Sequence, residues 1–205
     1  MGPERGVECV LFDMDGVLCD YDRDVRLERL GALMGTDRET ARRVMYTSNV
    51  EWRADAGKLD IDAYMTALSR GFGRPLSEAQ WLDARQAATI VRPSMVRLCE
   101  RPATRVGIAI LSNNSFLMER HLRDVAGDLF PLFDGRAFVS AEVGAKKPDI
   151  ACYTACLARL GVAARATLFV DDSQDNVDGA RAAGLEAHTF VDEPTVVDWL
   201  ARFGL

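Results

Sequence analysis

Residues 7–17 of the chain read VECVLFDMDGV, an apolar run that ends in two acidic residues and a glycine. The run is short enough for a strand, so Asp13 and Asp15 are expected where that strand ends. Open α/β sheets bind ligands at the carboxyl ends of their strands. Alternation along the strand puts both carboxylates on one side, and Gly16 lets the chain turn sharply. Because two like charges held this close repel, the pair predicts a bound cation or a catalytic task.

Strands alternate with helices from residue 93 onward. The apolar runs 106–111, 137–139, 168–170 and 185–190 are predicted strands, and helical patterns separate them. This rhythm predicts right-handed crossovers and a mostly parallel sheet with helices on both faces, an α/β fold that the first strand must join.

The segment between the first strand and this alternating region is predicted to be helical. Its apolar stripes, and the capping-box patterns at Thr36 with Glu39 and Ser77 with Gln80, predict four helices. The domain prediction is therefore an α/β core formed by residues 1–18 and 93–205, with a four-helix insertion at 19–92.

Composition restricts the classes of function. The chain has 205 residues, 48% of them hydrophobic and 27% charged, which is ordinary for a globular protein. A net charge of −6 predicts no nucleic-acid partner. Apolar runs fall short of the roughly 20 residues of a membrane span, and residues 1–5 do not lead into a secretory apolar region. We therefore expect a cytoplasmic protein without a membrane partner, as a monomer or homodimer.

The five cysteines are an odd number at irregular spacing, which indicates reduced thiols rather than a disulfide framework. Cys152 and Cys156 are one helical turn apart and are interpreted as buried helix packing. His121 and His188 lie outside the strand-end clusters and are interpreted as a surface helix residue and a sheet residue.

Polar clusters follow the apolar strands and are expected to converge at one edge of a parallel sheet. They are Asp13-Met14-Asp15, Ser112-Asn113 and Asp171-Asp172, with Lys146-Lys147-Pro148 supplying cations before a helix. Such a set predicts a hard cation beside an anion. Mg²⁺ fits best, because the ligands are oxygens and the chain offers no His/Cys set for zinc.

These clusters resemble the four motifs of the haloacid dehalogenase superfamily, in the family's order. Asp13 to Val17 looks like the first motif, Ser112 the second, Lys147 before proline the third, and Asp171-Asp172 the fourth. The helical insertion lies where the family places a cap of its first type. The resemblance therefore implies a Rossmann-like core and a phosphatase-like hydrolase of subfamily I.

The resemblance also implies a role for each of these residues. Asp13 would be the nucleophile that forms an aspartyl-phosphate, and Asp15 the general acid and base. Phosphate would be bound by Ser112, Asn113 and Lys147. Asp13, the main-chain carbonyl of Asp15, and Asp172 would hold Mg²⁺, with Asp171 binding directly or through water. Asn176 would orient Lys147.

Some members of the family fit these residues less well than a phosphatase does. An acid at Asp15 argues against a dehalogenase, and Val25 stands where a sugar phosphomutase would carry a cap histidine. The prediction is a phosphomonoesterase of a small phosphorylated metabolite. The alternatives are a phosphotransferase or sugar phosphomutase and, in another class, a non-catalytic phosphate-metabolite binding or regulatory protein.

The cap offers candidate substrate contacts. Asp20 and Tyr21 lie at its entry, where they are candidates to line a pocket. Trp52 is a candidate to stack on a sugar or base, and Arg53 to meet a second anion.

Overall fold

The computed structural model describes residues 6–205. Its strands are β1 Cys9–Phe12, β2 Cys19–Tyr21, β3 Thr89–Val91, β4 Gly107–Ser112, β5 Ala137–Val139, β6 Thr167–Asp171 and β7 Glu186–Thr189. Its α-helices are α1 Arg23–Leu33, α2 Arg38–Arg42, α3 Val50–Asp55, α4 Ile61–Phe72, α5 Glu78–Ala87, α6 Pro93–Ala103, α7 Phe116–Arg120, α8 Leu122–Ala126, α9 Ser140–Val143, α10 Ile150–Leu160, α11 Gln174–Ala182 and α12 Glu193–Ala201. The predictions that the core begins at residue 1 and that residues 1–5 are not a secretory leader concern residues outside this range.

Within the described residues, five strands form one sheet in the order β5-β4-β1-β6-β7, with every neighbouring pair parallel. The predicted parallel α/β core is confirmed. β1 is central and fully buried on both faces, which explains its unbroken apolar sequence. Three adjacent strands, β4, β1 and β6, therefore end side by side.

Alternation along β1 divides the core into two layers. Val10 and Phe12 pack with residues of α6, α8 and α12, while Cys9 and Leu11 pack with residues of α10 and α11. The cysteines of residues 6–205 are buried and unpaired, as predicted. The helical turn that carries Cys152 and Cys156 belongs to the second layer.

The inserted region is helical as predicted, but its described residues contain five α-helices rather than four. Helix α2 begins after Asp37, whose side chain accepts from the Thr40 amide at 2.7 Å, instead of after Thr36. It continues as a π-helical segment, Arg43–Thr47, and the additional helix α3 follows. The capping box predicted at Ser77 and Gln80 is present at the start of α5.

A short antiparallel pair of strands joins the insertion to the core. β2 pairs with β3, with Cys19 opposite Val91 and Tyr21 opposite Thr89. This pair lies at the predicted boundaries near residues 18 and 92. Sequence analysis missed both strands, because three-residue strands are too short to show a period against a helical background.

Among residues 6–205, every helix is too short or too polar to cross a membrane.

Candidate active site

The carboxyl ends of the central strands bring the predicted clusters together. Asp13 follows β1, Ser112 is the last residue of β4, and Asp171 is the last residue of β6. All three are buried, and Lys147 reaches the same point from the segment before α10. Gly16 turns the chain away from Asp13 at φ +90°, and a Cβ there would lie 2.2 Å from Asp172 Oδ2. The position therefore requires glycine for both its backbone angle and its space.

Lys147 is the positive centre of this cluster. Its Nζ lies 2.8 Å from Asp13 Oδ1 and 2.6 Å from Asp171 Oδ2, with the side chain fully buried. Burial opposes the charge of Lys147, but the two carboxylates prevail and raise its pKa. Lys147 is therefore held as an ammonium against the face of Asp13.

The acidic groups around Lys147 carry more negative charge than its ammonium can balance, so the cluster can bind a cation. Oxygens of Asp13, Asp171 and Asp172 lie within 4.8 Å of one another. Burial raises the pKa of Asp13, against the lowering effect of Lys147, and burial with the neighbouring Asp171 raises the pKa of Asp172. Because one ammonium cannot balance three carboxylates, and all the donors are oxygens, the cluster fits Mg²⁺.

Asp171 and Asn176 take positions that the sequence did not fully predict. Asn176 donates from Nδ2 to Asp171 Oδ1 at 2.9 Å and Oδ2 at 3.2 Å, so it contacts Asp171 and not Lys147. Asp171 Oδ1 also accepts from the Ser173 amide at 2.9 Å. Both Asp171 oxygens thus have protein partners, and Asn176 reaches Lys147 through Asp171.

Two asparagines support the opposite side of the cluster. Asn113 donates from Nδ2 to the Lys147 carbonyl at 2.9 Å and accepts from the Lys147 amide at 2.8 Å. This pair of bonds fixes the backbone of Lys147. Asn114, which sequence analysis did not select, donates to Ser112 Oγ at 2.9 Å and lies 3.3 Å from Asp15 Oδ2.

Asp15 has a partner from the insertion that sequence analysis also missed. Arg85, on α5, places Nη2 2.7 Å from Asp15 Oδ1 and 2.6 Å from Oδ2. The two residues are seventy positions apart, and the sequence around Arg85, with Ala84 before it and Gln86 after it, carries no motif.

A cavity of about 1000 Å³ lies between these strand ends and the insertion. Asp13, Asp15, Ser112, Asn113 and Asp172 line its floor, while the insertion contributes mainly charged and polar groups, among them Asp20, Tyr21, Arg23, Arg26, Arg42, Tyr46, Glu51, Asp55 and Arg85. Asp20 and Tyr21 therefore lie where the sequence suggested.

The family model of the haloacid dehalogenase-like hydrolases matches residues 7–184, most of the chain. The protein belongs to this family. The predicted family membership is thereby confirmed. We call residues 19–92 the cap from here on.

Relatives and solved structures of this family agree with the match. A sesquiterpene phosphatase from Aspergillus oryzae is 29% identical over 188 residues, covering 87% of each chain. A phosphatase from Mycobacterium tuberculosis is 29% identical over 195 residues, covering 89% of this chain and 86% of its own. A family enzyme from Bacteroides thetaiotaomicron, solved with magnesium and inorganic phosphate, has a TM-score of 0.78 at 19% identity, covering 93% and 99% of the two chains. This last likeness shows the shared fold.

Helix α3 of the cap presents a different face to the cavity from the one proposed on sequence. Trp52 is 46% exposed and packs against Lys58, whose Nζ lies 4.2 Å from the ring centroid. Trp52 and the exposed Arg53 lie outside the cavity lining. Glu51 and Asp55 are one helical turn apart and line the cavity instead, because residues at i and i+4 share a helix face.

Asp55 is the most buried acid of the cap wall. Its carboxylate lies 3.6 Å from Lys146 Nζ, and its carbonyl accepts from Ser140 Oγ at 2.6 Å. Burial and the neighbouring Glu51 raise the pKa of Asp55 to about 8, although Lys146 and Arg26 oppose this rise. The cavity wall thus contains a buried carboxyl group whose ionised form is disfavoured by its surroundings.

A second polar contact between cap and core involves His121. Its Nε2 lies 2.6 Å from Glu78 Oε1 of the cap and its Nδ1 2.8 Å from Asp124 Oδ2 of the core, while Arg120 also contacts Glu78. Hydrogen bonds to Asp124 and Glu78 outweigh burial and raise the pKa of His121 above its ordinary 6.5. His121 is thus a bridge between cap and core.

The His121 bridge predicts a pH-dependent stability. Because the folded pKa is raised, its contribution is complete below pH 6.5 and is lost as pH rises through the folded pKa. We expect the wild-type Tm to fall by about 1–3 °C above pH 6.5 from this group, and His121→Gln to remove that step.

The second histidine provides the control. Burial lowers the pKa of His188, so its titration affects stability below pH 6.5. His188→Gln should therefore keep the step above pH 6.5, as followed by calorimetry. An unchanged step in His121→Gln would contradict the assignment.

Proposed function

We propose that the protein is a Mg²⁺-dependent phosphomonoesterase that hydrolyses a small phosphorylated metabolite through an aspartyl-phosphate on Asp13. The observation that carries this proposal is the Asp13 carboxylate at the cavity floor, 2.8 Å from a fully buried Lys147 ammonium and beside Ser112. Residues 1–18 and 93–205 form the catalytic core in this proposal, and residues 19–92 act as its lid.

The proposed reaction has two displacements at phosphorus. An Asp13 oxygen attacks in line, the bond to the leaving alcohol breaks, and Asp15 gives that oxygen a proton. Asp15 then takes a proton from a water that attacks the aspartyl-phosphate, which releases phosphate and restores Asp13. Ser112, the Asn113 amide and Lys147 bind the phosphoryl oxygens and balance their charge.

A metal fits beside these residues. Asp13, the Asp15 carbonyl and Asp172 would hold Mg²⁺, and Asp171, whose oxygens have protein partners, would support the site through water. When bound, the ion supplies positive charge to the phosphoryl group. Lys147 alone cannot balance both the acidic cluster and a phosphate dianion.

The cap wall favours a polar leaving group. Glu51 and Asp55 of the cap and Lys146 of the core line the cavity with polar groups that can hydrogen-bond hydroxyls, whereas a hydrocarbon chain packed against them would displace their water and offer no hydrogen bond in return. We therefore propose a hydroxylated alcohol, such as a sugar, as the leaving group. An apolar prenyl alcohol would suit this wall poorly.

The assay for this function is hydrolysis of p-nitrophenyl phosphate by the purified chain, followed by a panel of sugar, nucleotide and prenyl phosphates. We expect turnover with Mg²⁺, a loss of at least about 10²-fold in EDTA, and recovery when Mg²⁺ is restored, because the acidic cluster otherwise repels the phosphate. Activity that persists unchanged in EDTA would contradict the metal requirement. A preference for prenyl over sugar phosphates would contradict the polar leaving group.

A further inference from the structure

Arg85 connects the cap directly to the proposed acid and base. It lies in the last turn of α5, and its Nη2 contacts both oxygens of Asp15, at 2.7 and 2.6 Å. The Asp15 side chain is 21% exposed, so the carboxyl group is held from the cap side and still borders the cavity.

The guanidinium of Arg85 is buried against an aromatic ring. It is 1% exposed and stacks on the Tyr21 ring with its Cζ 4.2 Å from the centroid. The Arg85 carbonyl accepts from Thr89 Oγ1 at 2.9 Å, which ties the end of α5 to β3. Tyr21 of β2 therefore packs against the side chain of Arg85, and Thr89 of β3 holds its backbone.

Burying this arginine is costly, and Asp15 offsets the cost. Burial alone would lower the pKa of Arg85, but the Asp15 carboxylate raises it, so the guanidinium stays charged. Its Nε is buried without a hydrogen-bond partner among residues 6–205. A buried ion pair is weak evidence for a gain in stability, so stability alone does not explain an arginine here.

We propose that Arg85 is a positioning residue: it fixes the orientation of the Asp15 carboxyl group toward the leaving-group side of the cavity whenever the cap is seated on the core. This inference rests on the proposed function, since it assigns Arg85 a task only if Asp15 serves the leaving group. It makes acid assistance dependent on the cap, because the side chain that orients Asp15 belongs to the lid.

The inference predicts a specific kinetic pattern. Proton donation matters greatly for a basic phenolate and little for p-nitrophenolate, so a misoriented Asp15 should harm phenyl phosphate more than p-nitrophenyl phosphate. A residue that bound the phosphate itself would affect the two esters equally. The two substrates have nearly the same shape, and kcat/KM reports steps up to release of the phenol.

The experiment measures kcat/KM for both esters with Mg²⁺ in Arg85→Met and Arg85→Lys. For Arg85→Met we expect a fall of about 10²-fold with phenyl phosphate and at most about 10-fold with p-nitrophenyl phosphate. Arg85→Lys keeps the charge but not the planar group, and should fall between wild type and Arg85→Met for phenyl phosphate. It also provides the test if Arg85→Met does not fold.

The matched control is Arg29→Met. Arg29 also pairs with an aspartate of α5, with its Nε 2.9 Å from Asp83 Oδ2, but on the exposed outside of the cap. Its values should stay within about twofold of wild type for both esters. Equal losses for the two esters in the Arg85 variants, or no loss, would overturn the inference. A wild-type chain inactive on both esters would instead refute the proposed function.

Discussion

Asp13→Asn is expected to lower kcat for p-nitrophenyl phosphate by about 10⁴- to 10⁶-fold, the range seen when a covalent nucleophile is removed. The amide has the same shape as the carboxylate but does not form the aspartyl-phosphate. Lys147 keeps a hydrogen-bond acceptor at the 2.8 Å contact, so the fold should persist. The measurement is steady-state release of p-nitrophenol with Mg²⁺.

A second readout separates loss of chemistry from loss of structure. Burial raises the pKa of Asp13, which means that its ionised form is electrostatically unfavourable in the folded chain without a cation. Asp13→Asn should therefore melt in EDTA at or above the wild-type Tm. Asp83→Asn serves as the control and should retain activity, because Asp83 is a partly exposed acid of α5 that pairs with Arg29 on the outside of the cap. If the activity of Asp13→Asn stayed within about 10-fold of wild type, Asp13 would not be the nucleophile, because the expected loss is far larger.

Lys147→Met is expected to reduce both stability and turnover. It removes the fully buried ammonium between Asp13 and Asp171 and leaves two carboxylates facing each other. Breaking a buried pair in this way costs about 3–5 kcal/mol, which corresponds to a fall of about 6–20 °C in Tm. Turnover should fall by about 10³-fold, because the phosphoryl oxygens lose their positive partner.

The neighbouring lysine gives the comparison for stability. Lys146 is partly exposed and lies 3.6 Å from Asp55, a longer contact than either of those made by Lys147. Lys146→Met should lower Tm much less, since a partly solvated pair contributes little. Equal Tm values for the two variants, measured by thermal unfolding without metal, would contradict the central role given to Lys147.

The residues at the strand ends could be predicted from the sequence, because each comes at the end of an apolar run short enough for a buried strand. Asp13, Ser112 and Asp171 close β1, β4 and β6, and the pairing of these strands places them side by side. A short unbroken apolar run and a glycine at the turn are local signals. These signals predict the structure correctly because a parallel sheet is covered by helices on both faces, so its central strands are apolar throughout.

The residues of the cap that face the cavity were harder to predict from the sequence, although the helical character of the cap was predicted. Helix α3 is six residues long, too short for its apolar period to show which face turns inward. The sequence therefore favoured Trp52 and Arg53 as contacts, on residue type alone. Docking of the cap on the core decided otherwise and placed Glu51 and Asp55 in the cavity wall.

By itself, the sequence determined the parallel core, the inserted helical cap and the family, because these depend on local periods and on motifs in order along the chain. Only the tertiary structure decided the partners of those motifs: Arg85 on Asp15, Asn176 on Asp171 and Glu78 on His121. Two of these contacts join cap and core across more than forty positions. The periodicity of a sequence indicates which face of a helix or strand a side chain lies on. The residue that it contacts depends on how that element packs against another part of the chain, which local sequence does not specify.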